Sequence, residues 1–509
     1  VNGELSIAVV GGGAAAVCLI DALATADVPP GSLTVFEPSP HLWRGRPYQV
    51  DTETLTINMV PADMSVRAGD PGHFAYWLAG RDRVTRTRTE PDPHSGARFV
   101  PRTVYGEYLE HTAYSAMGRL RRKGWRIDLI GAPVTSASRC AERVMLQTKD
   151  GRARVFDYTV LCVGRGAPED IYSLDGASGY IPDPYPAVDR LHTIGAFDHV
   201  VILGSGLTAV DTVRYLAATG HQGTITLASR HGVLPAVRQR PADFTVHNLT
   251  QSRVQALTAT GTEITVTELV ELCRAELRET GADASRVLQE ITSVFTEPAL
   301  PRLRRQLDQV DDPDLALRIL QRAIPDTGPD LWPLLCDRDK QQLLRTHYRT
   351  LMSLCCPMPP ASAALLLSLA DTGQLDVRSG LRHIQPAGKT GFTLTTRTGE
   401  FDADTVINTV SPSRQRIPHA AQRLIASLLR SRNASINPYG GLAIERATSR
   451  LSVAGHGDPR LYALGDLAAG ALFFTWGIPS LVDRARDITE AIRAHHTSPT
   501  RTGTALLPA

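Results

Sequence analysis

Gly11, Gly13 and Ala16 stand at the spacing G-x-G-x-x-A, directly after the apolar, β-branched run Leu5 to Val10. That spacing suits the pyrophosphate of a dinucleotide. Gly11 makes the tight turn, Gly13 lets backbone N–H groups come close to phosphate at a helix N-terminus, and Ala16 lets helix and strand pack closely. Glu37 ends the next strand, Leu33 to Phe36, where a carboxylate accepts hydrogen bonds from the hydroxyls of an adenosine ribose. The pattern recurs as Gly204, Gly206 and Ala209 after the run His199 to Leu203. In this second copy the ribose-reading position holds Arg230, at the same offset from Gly206 as Glu37 has from Gly13. An acid there repels a 2′-phosphate, whereas a guanidinium clamps it through two parallel hydrogen bonds. The second site therefore reads as one for NADPH rather than NADH, with His231 as a further donor within reach.

Two such fingerprints require two open parallel sheets with helices on their faces. The expected fold is α/β, with two Rossmann-like dinucleotide-binding domains, the first discontinuous and the second (NADP) inserted in it, and a helical insertion. Residues 1–190 and 400–509 are assigned to the first domain, which the resemblance given below implies is FAD-binding. Residues 191–240 and 371–399 are assigned to the NADP-binding domain, and 241–370 to the insertion, a substrate cap. Thr159 to Gly164 is an apolar strand of the central parallel type, and Pro168 to Leu191 is a linker rich in Pro, Gly and Asp. Helical spacing marks Thr267 to Arg278, Ala284 to Phe295, Asp314 to Ala323, Asp337 to Ser353 and Pro360 to Ala370. Strands return at Leu375 to Val377, Phe392 to Thr396, Thr405 to Thr409 and Arg460 to Leu464. Pro479 to His495 reads as a terminal helix, and the tail Thr497 to Ala509 as disordered.

Composition narrows the partners. A chain of 509 residues is expected to form two or three domains. A net charge of +2, with arginines scattered rather than striped, speaks against a nucleic-acid partner. No apolar run reaches the length of a membrane span, and the chain enters its first strand too early for a signal peptide. The seven cysteines lack C-x-x-C spacing. That fits a cytoplasmic location and opposes a zinc site or a redox disulfide motif. No metal site is expected, and Cys355-Cys356 reads as a pair of buried free thiols.

The ordered set of motifs resembles the two-dinucleotide flavoproteins, in particular the FAD/NAD(P)-binding family related to flavin-dependent N-hydroxylases and flavin-containing monooxygenases. The residues that carry the resemblance are Gly11 to Ala16 with Glu37, Asn58 to Ser65, Phe99 to Arg102, Thr159 to Gly164, Gly204 to Ala209, and Leu461 to Asp466. It implies FAD in the first site and NADPH in the second. It also implies that Gly465 and Asp466 meet the ribityl chain, and that the helix after Gly477 points its N-terminus at the flavin. Asn58 becomes the catalytic candidate, facing flavin and NADP⁺, with a loop-capping asparagine as the plain alternative. Arg102 is expected at an FAD phosphate or at a strand-end carbonyl. The activity implied is an oxidoreductase, a monooxygenase that passes one atom of O₂ to N, S or C of a small molecule through a C4a-peroxyflavin. An NADPH-dependent flavin reductase or dehydrogenase, or a non-catalytic FAD-binding protein, are the rival readings. One departure bears on substrate: Leu354-Cys355-Cys356-Pro357 replaces the basic cluster that precedes Met-Pro-Pro in relatives, which points to a less acidic substrate.

Overall fold

The computed structural model describes residues 4–259, 263–388, 391–475 and 477–497; the tail beyond Thr497, expected to be disordered, lies outside them. Leu5–Val10 (β1) is buried along its whole length, as a strand covered on both faces must be. Ala14–Thr25 (α1) returns the chain to Gly31–Phe36 (β2), parallel to β1 with Leu5 opposite Gly31. Arg102–Arg122 (α2) then leads to Arg126–Ile130 (β3) beside β2, and Tyr158–Leu161 (β4) pairs with the other side of β1. A three-stranded antiparallel sheet (Val134–Cys140, Arg143–Thr148, Ala153–Phe156) intervenes. Its first strand carries the polar run Thr-Ser-Ala-Ser-Arg, which gives no period-2 signal.

The second sheet repeats the plan. Tyr180–Ile181 (β5), Val200–Leu203 (β6), Ile225–Ala228 (β7), Leu375–Arg378 (β8) and Thr405–Asn408 (β9) lie in the order β8-β7-β6-β9-β5, all parallel. Leu207–Ala218 (α3) joins β6 to β7. This sheet draws strands from outside the residues assigned to it. β9, expected in the first domain, pairs Val406 with Val201, and β5 comes from within 1–190. Both are short strands whose partners are chosen by burial of β9 on both faces rather than by local pattern.

Helices fill the span between the second fingerprint and β8. Ala316–Leu331 (α4) passes through Pro325 and Pro329 instead of stopping at Ala323. Thr327 Oγ1 donates to the Ala323 carbonyl at 2.7 Å, and nine of its sixteen residues are buried, so packing overrides the proline penalty. Tyr348–Cys355 (α5) follows one π-helical turn at Leu343–His347. Pro360–Asp371, expected in the cap, instead buries Ala363, Leu366 and Leu367 in the core of the second domain with Val210 and Val213 of α3. The chain then returns to the first sheet: Arg450–Val453 (β10) and His456–Ala463 (β11) complete the order β10-β11-β4-β1-β2-β3. Ile478–Thr497 (α6) packs Ile488 and Ile492 into the same core as Val17 and Ile20 of α1. Among the described residues no helix is long and apolar enough to cross a membrane.

Candidate nucleotide crevices and the cleft between them

Gly11 sits at φ +103°, and a Cβ there would lie 2.5 Å from the Cys162 carbonyl oxygen, so only glycine lets β1 and β4 end side by side. Gly13 caps α1 with no side-chain cap, leaving the first-turn N–H groups free for a phosphate. The loop after β2 folds back over this turn: Trp43 N donates to the Gly12 carbonyl at 2.6 Å. Ala16 is fully buried against the sheet. Glu37 Oε2 accepts from Gly12 N at 2.7 Å and Oε1 from Ser39 N at 2.8 Å, which holds the carboxylate at the mouth of the crevice. Gly465, at φ +92°, places its turn 4.0 Å from the Ala15 methyl, measured from a Cβ built upon it.

Two polar atoms near that turn are buried without a protein hydrogen bond among the described residues, Asp466 Oδ1 and Thr475 Oγ1. Arg165 Nε lies 3.4 Å from Asp466 Oδ1. A buried polar atom without a hydrogen bond is costly; Thr475 Oγ1 has none and Asp466 Oδ1 has only that ion pair, so a ligand rich in hydroxyls can satisfy both. The residues present therefore fit FAD. Gly13 and α1 would face its pyrophosphate, Glu37 the ribose, Gly465 and Asp466 the ribityl chain, and α6 begins directly after Gly477 as expected.

The second crevice has the same construction. Gly204 is at φ +113°, with a Cβ position 2.8 Å from Thr409 Oγ1, while nothing lies within 4 Å of a Cβ on Gly206, the cap of α3. Ala209 is buried. Arg230 is exposed at the end of β7, and its neighbour His231 is held below its ordinary value, first by burial and then by surrounding guanidinium charges.

Asn58 lies where the two domains meet. Its Nδ2 is a long 3.5 Å from the Pro357 carbonyl, and its own carbonyl accepts from Arg238 Nε at 2.8 Å. Arg238 in turn belongs to a short parallel bridge: its N donates to the Met358 carbonyl at 2.9 Å, and Met358 N to the Ala236 carbonyl at 2.7 Å. Burial lowers the Arg238 pKa, with Asp63 and Cys356 opposing. Nothing in Val-Arg-Gln-Arg-Pro marks this arginine in the sequence; only its contact with Asn58, far away along the chain, does so.

Arg102, expected at an FAD phosphate or at a strand-end carbonyl, has its guanidinium engaged by protein groups in the structure. Its Nη2 lies 2.5 Å from Asp211 Oδ2, Nη1 donates to Tyr185 Oη at 2.9 Å, and Nε donates to the Thr56 carbonyl at 3.2 Å. The strand-end carbonyl is the partner realised, and a buried carboxylate on α3 of the second domain takes the rest of the guanidinium.

Residues 8–166 match the sequence profile of the FAD-NAD(P)-binding family. No curated protein matches the sequence. The fold is similar to an ornithine N-hydroxylase of Kutzneria sp. 744, at 13% identity and TM-score 0.59 over 97% of this chain and 99% of that one. It is similar to an L-lysine 6-monooxygenase of Pseudomonas syringae, at 16% and 0.59 over 97% and 100%. It is also similar to a cadaverine monooxygenase of Erwinia amylovora, at 11% and 0.59 over 99% of each chain. The chain thus has the fold of these three proteins, and its residues 8–166 match the FAD-NAD(P)-binding family.

Proposed function

We propose that the protein is an FAD- and NADPH-dependent monooxygenase of a small molecule that carries an amine. The observation behind this reading is that one chain carries a fingerprint ending in an acid and a second ending in an arginine, with the Asn58 loop hydrogen-bonded to Pro357 and to Arg238, which follows the second fingerprint. Bound FAD supplies the two-electron chemistry that joins a nicotinamide hydride donor to O₂. The chain's own residues do the placing. Gly13 and the start of α1 bind the pyrophosphate, and Asp466 Oδ1 accepts from a ribityl hydroxyl. Arg230 binds the 2′-phosphate. The Asn58 amide, weakly held by Pro357, is free to donate to whatever enters between the crevices. An apolar wall, Trp332, Phe473 and Phe474, joins the insertion to the Asp466 turn and excludes water there, with Trp332 Nε1 donating to the Gly470 carbonyl at 2.9 Å.

The amine is favoured by charge. Asp63 beside the Asn58 loop and Asp483 on α6 both act on Asp326 of α4. The Asp326 carboxyl is pushed up to about 6 by burial first and by Asp63 and Asp483 after Arg322, which opposes them. A cation among these groups relieves their repulsion. The three similar proteins named above act on ornithine, lysine and cadaverine, all amines. Binding of a linear diamine, followed by calorimetry between pH 5 and 8, is expected to tighten as pH rises through about 6, because Asp326 is then ionised. Asp326→Asn should flatten that rise. A flat profile in the parent would remove Asp326 from the substrate cleft.

Turnover with NADPH and an amine panel under ¹⁸O₂ tests the reaction itself. Label in the product is expected; turnover without label would leave an NADPH-dependent reductase. Cofactor choice has its own test. Arg230→Ala is expected to weaken NADPH by about tenfold or more, the scale of a charge-assisted hydrogen-bond pair, and NADH hardly at all. Equal losses for both would remove Arg230 from the 2′-phosphate.

A further inference from the structure

The loop that follows β7, from Ser229 to Val237, is fixed from three sides. Ser229 Oγ accepts from Gly232 N at 2.8 Å, and Ser205 Oγ donates to the Val233 carbonyl at 2.7 Å, which ties the loop to the second fingerprint. Helix α5 of the insertion lies against it: Ser353 Oγ donates to the Leu234 carbonyl at 2.8 Å, and Ala236 N to the Ser353 carbonyl at 2.9 Å. Arg349 is one turn before Ser353 on the same face of that helix. On the third side, Gly380 N donates to the Arg230 carbonyl at 3.2 Å and Arg397 N to the Gly380 carbonyl at 3.1 Å. The Arg397 side chain runs so close to Gly380 that a Cβ there would lie 2.9 Å from Arg397 Cγ.

Arg349 and Arg397 thus lie beside the loop that carries Arg230 and His231, each from a different element. After burial, the charges of Arg349, Arg230 and Arg397 keep His231 below its ordinary value, and Arg230 does the same to Arg349. Among the described residues none of the three guanidiniums has an ion-pair partner. Like charges gathered without a carboxylate repel one another, and a dianion placed among them reverses the sign of the interaction.

We infer that Arg349, carried by the helical insertion, is a specificity residue for the 2′-phosphate of NADPH and completes, with Arg397, the site that Arg230 begins. This rests on the NADPH reading above and extends it to a part of the chain outside either dinucleotide fold. The preceding residue, Tyr348, meets Phe473 edge-on with ring centroids 6.1 Å apart. The helix that grips the phosphate is therefore also part of the aromatic wall beside the Asp466 turn.

The test is calorimetric titration of the FAD-loaded full chain with adenosine 2′,5′-bisphosphate and with 5′-AMP. The parent is expected to prefer the bisphosphate. Arg349→Ala and Arg397→Ala should each weaken the bisphosphate about tenfold and leave 5′-AMP unchanged, with Arg349→Lys between them because a lysine keeps the charge but not the fork. Arg349 is exposed, so the melting temperature should stay at the parent value. If Arg230→Ala loses the preference and Arg349→Ala keeps it, the inference is overturned while the NADPH reading stands. If the parent binds both ligands alike, the NADPH reading itself fails, and the inference with it.

Discussion

Gly11→Ala is expected to prevent the protein from folding stably and hence from holding FAD, whereas Gly13→Ala is expected to leave the fold intact and remove only the cofactor. Position 11 combines two penalties. Its φ of +103° is one that residues with a Cβ avoid, and the added methyl would sit 2.5 Å from the Cys162 carbonyl oxygen. That contact is with backbone at the end of β4, so relief requires β1 and β4 to separate where Val10 pairs with Leu161. The conformational cost is about 1–2 kcal/mol and the overpacking about 1–3 kcal/mol or more, out of a total stability of about 5–15 kcal/mol. Position 13 differs in both respects. Its φ of −96° is open to any residue, and a Cβ there meets only Gly45, Cα at an ordinary 3.5 Å and N at 3.9 Å. What the methyl takes is the space a phosphate needs at the start of α1. Differential scanning fluorimetry with flavin absorbance separates the two. A large fall in melting temperature is expected for Gly11→Ala. For Gly13→Ala, colourless protein melting with the flavin-stripped parent is expected. A yellow Gly13→Ala protein with full flavin content would place the pyrophosphate elsewhere.

The two fingerprints were legible in the sequence because everything that defines them is local. Turn, helix start, close-packing alanine and the strand-end residue lie within one βαβ unit each, and their backbone requirements act on near neighbours. Glu37 reaching Gly12 N is a contact inside that unit. What escaped the sequence is set by distant partners. Thr405–Asn408 reads correctly as a strand, but its sheet is decided by Val200–Leu203, two hundred residues earlier. The true length of α4 escaped because two prolines argue locally for a stop, while the burial of Leu331 and Trp332 against distant residues keeps it going. Arg238 carries no local signature at all. Its place beside Asn58 is fixed by a bridge to Met358, which the sequence separates from it by the whole helical insertion.

Arg102 shows the same limit, and it yields the other large effect. The resemblance left Arg102 between an FAD phosphate and a strand-end carbonyl, and in the structure its Nε donates to the Thr56 carbonyl. The rest of the guanidinium crosses to the second domain, to Asp211 on α3 and to Tyr185 from the connector, whose hydroxyl also donates to Asp211. Asp211 is only 6% exposed. Removing one partner of such a pair leaves the other charge buried and unpaired, so Asp211→Ala is expected to destabilise the protein by about 3–5 kcal/mol. The double replacement Arg102→Met with Asp211→Leu removes both charges and should recover most of that loss, since burying apolar groups of similar size is close to neutral. Urea unfolding of the two single variants and the double variant forms the cycle that measures this. The pair touches neither Glu37 nor Arg230, so nucleotide affinities should survive in the double variant. The angle between the domains, however, then depends on packing alone. The expected result is a double variant that binds FAD and NADPH normally but passes the hydride to the flavin more slowly than the parent, seen by stopped-flow bleaching of the flavin. If Asp211→Ala proves as stable as the parent, the pair is not a buried tie between the domains, and Arg102 is free for another role.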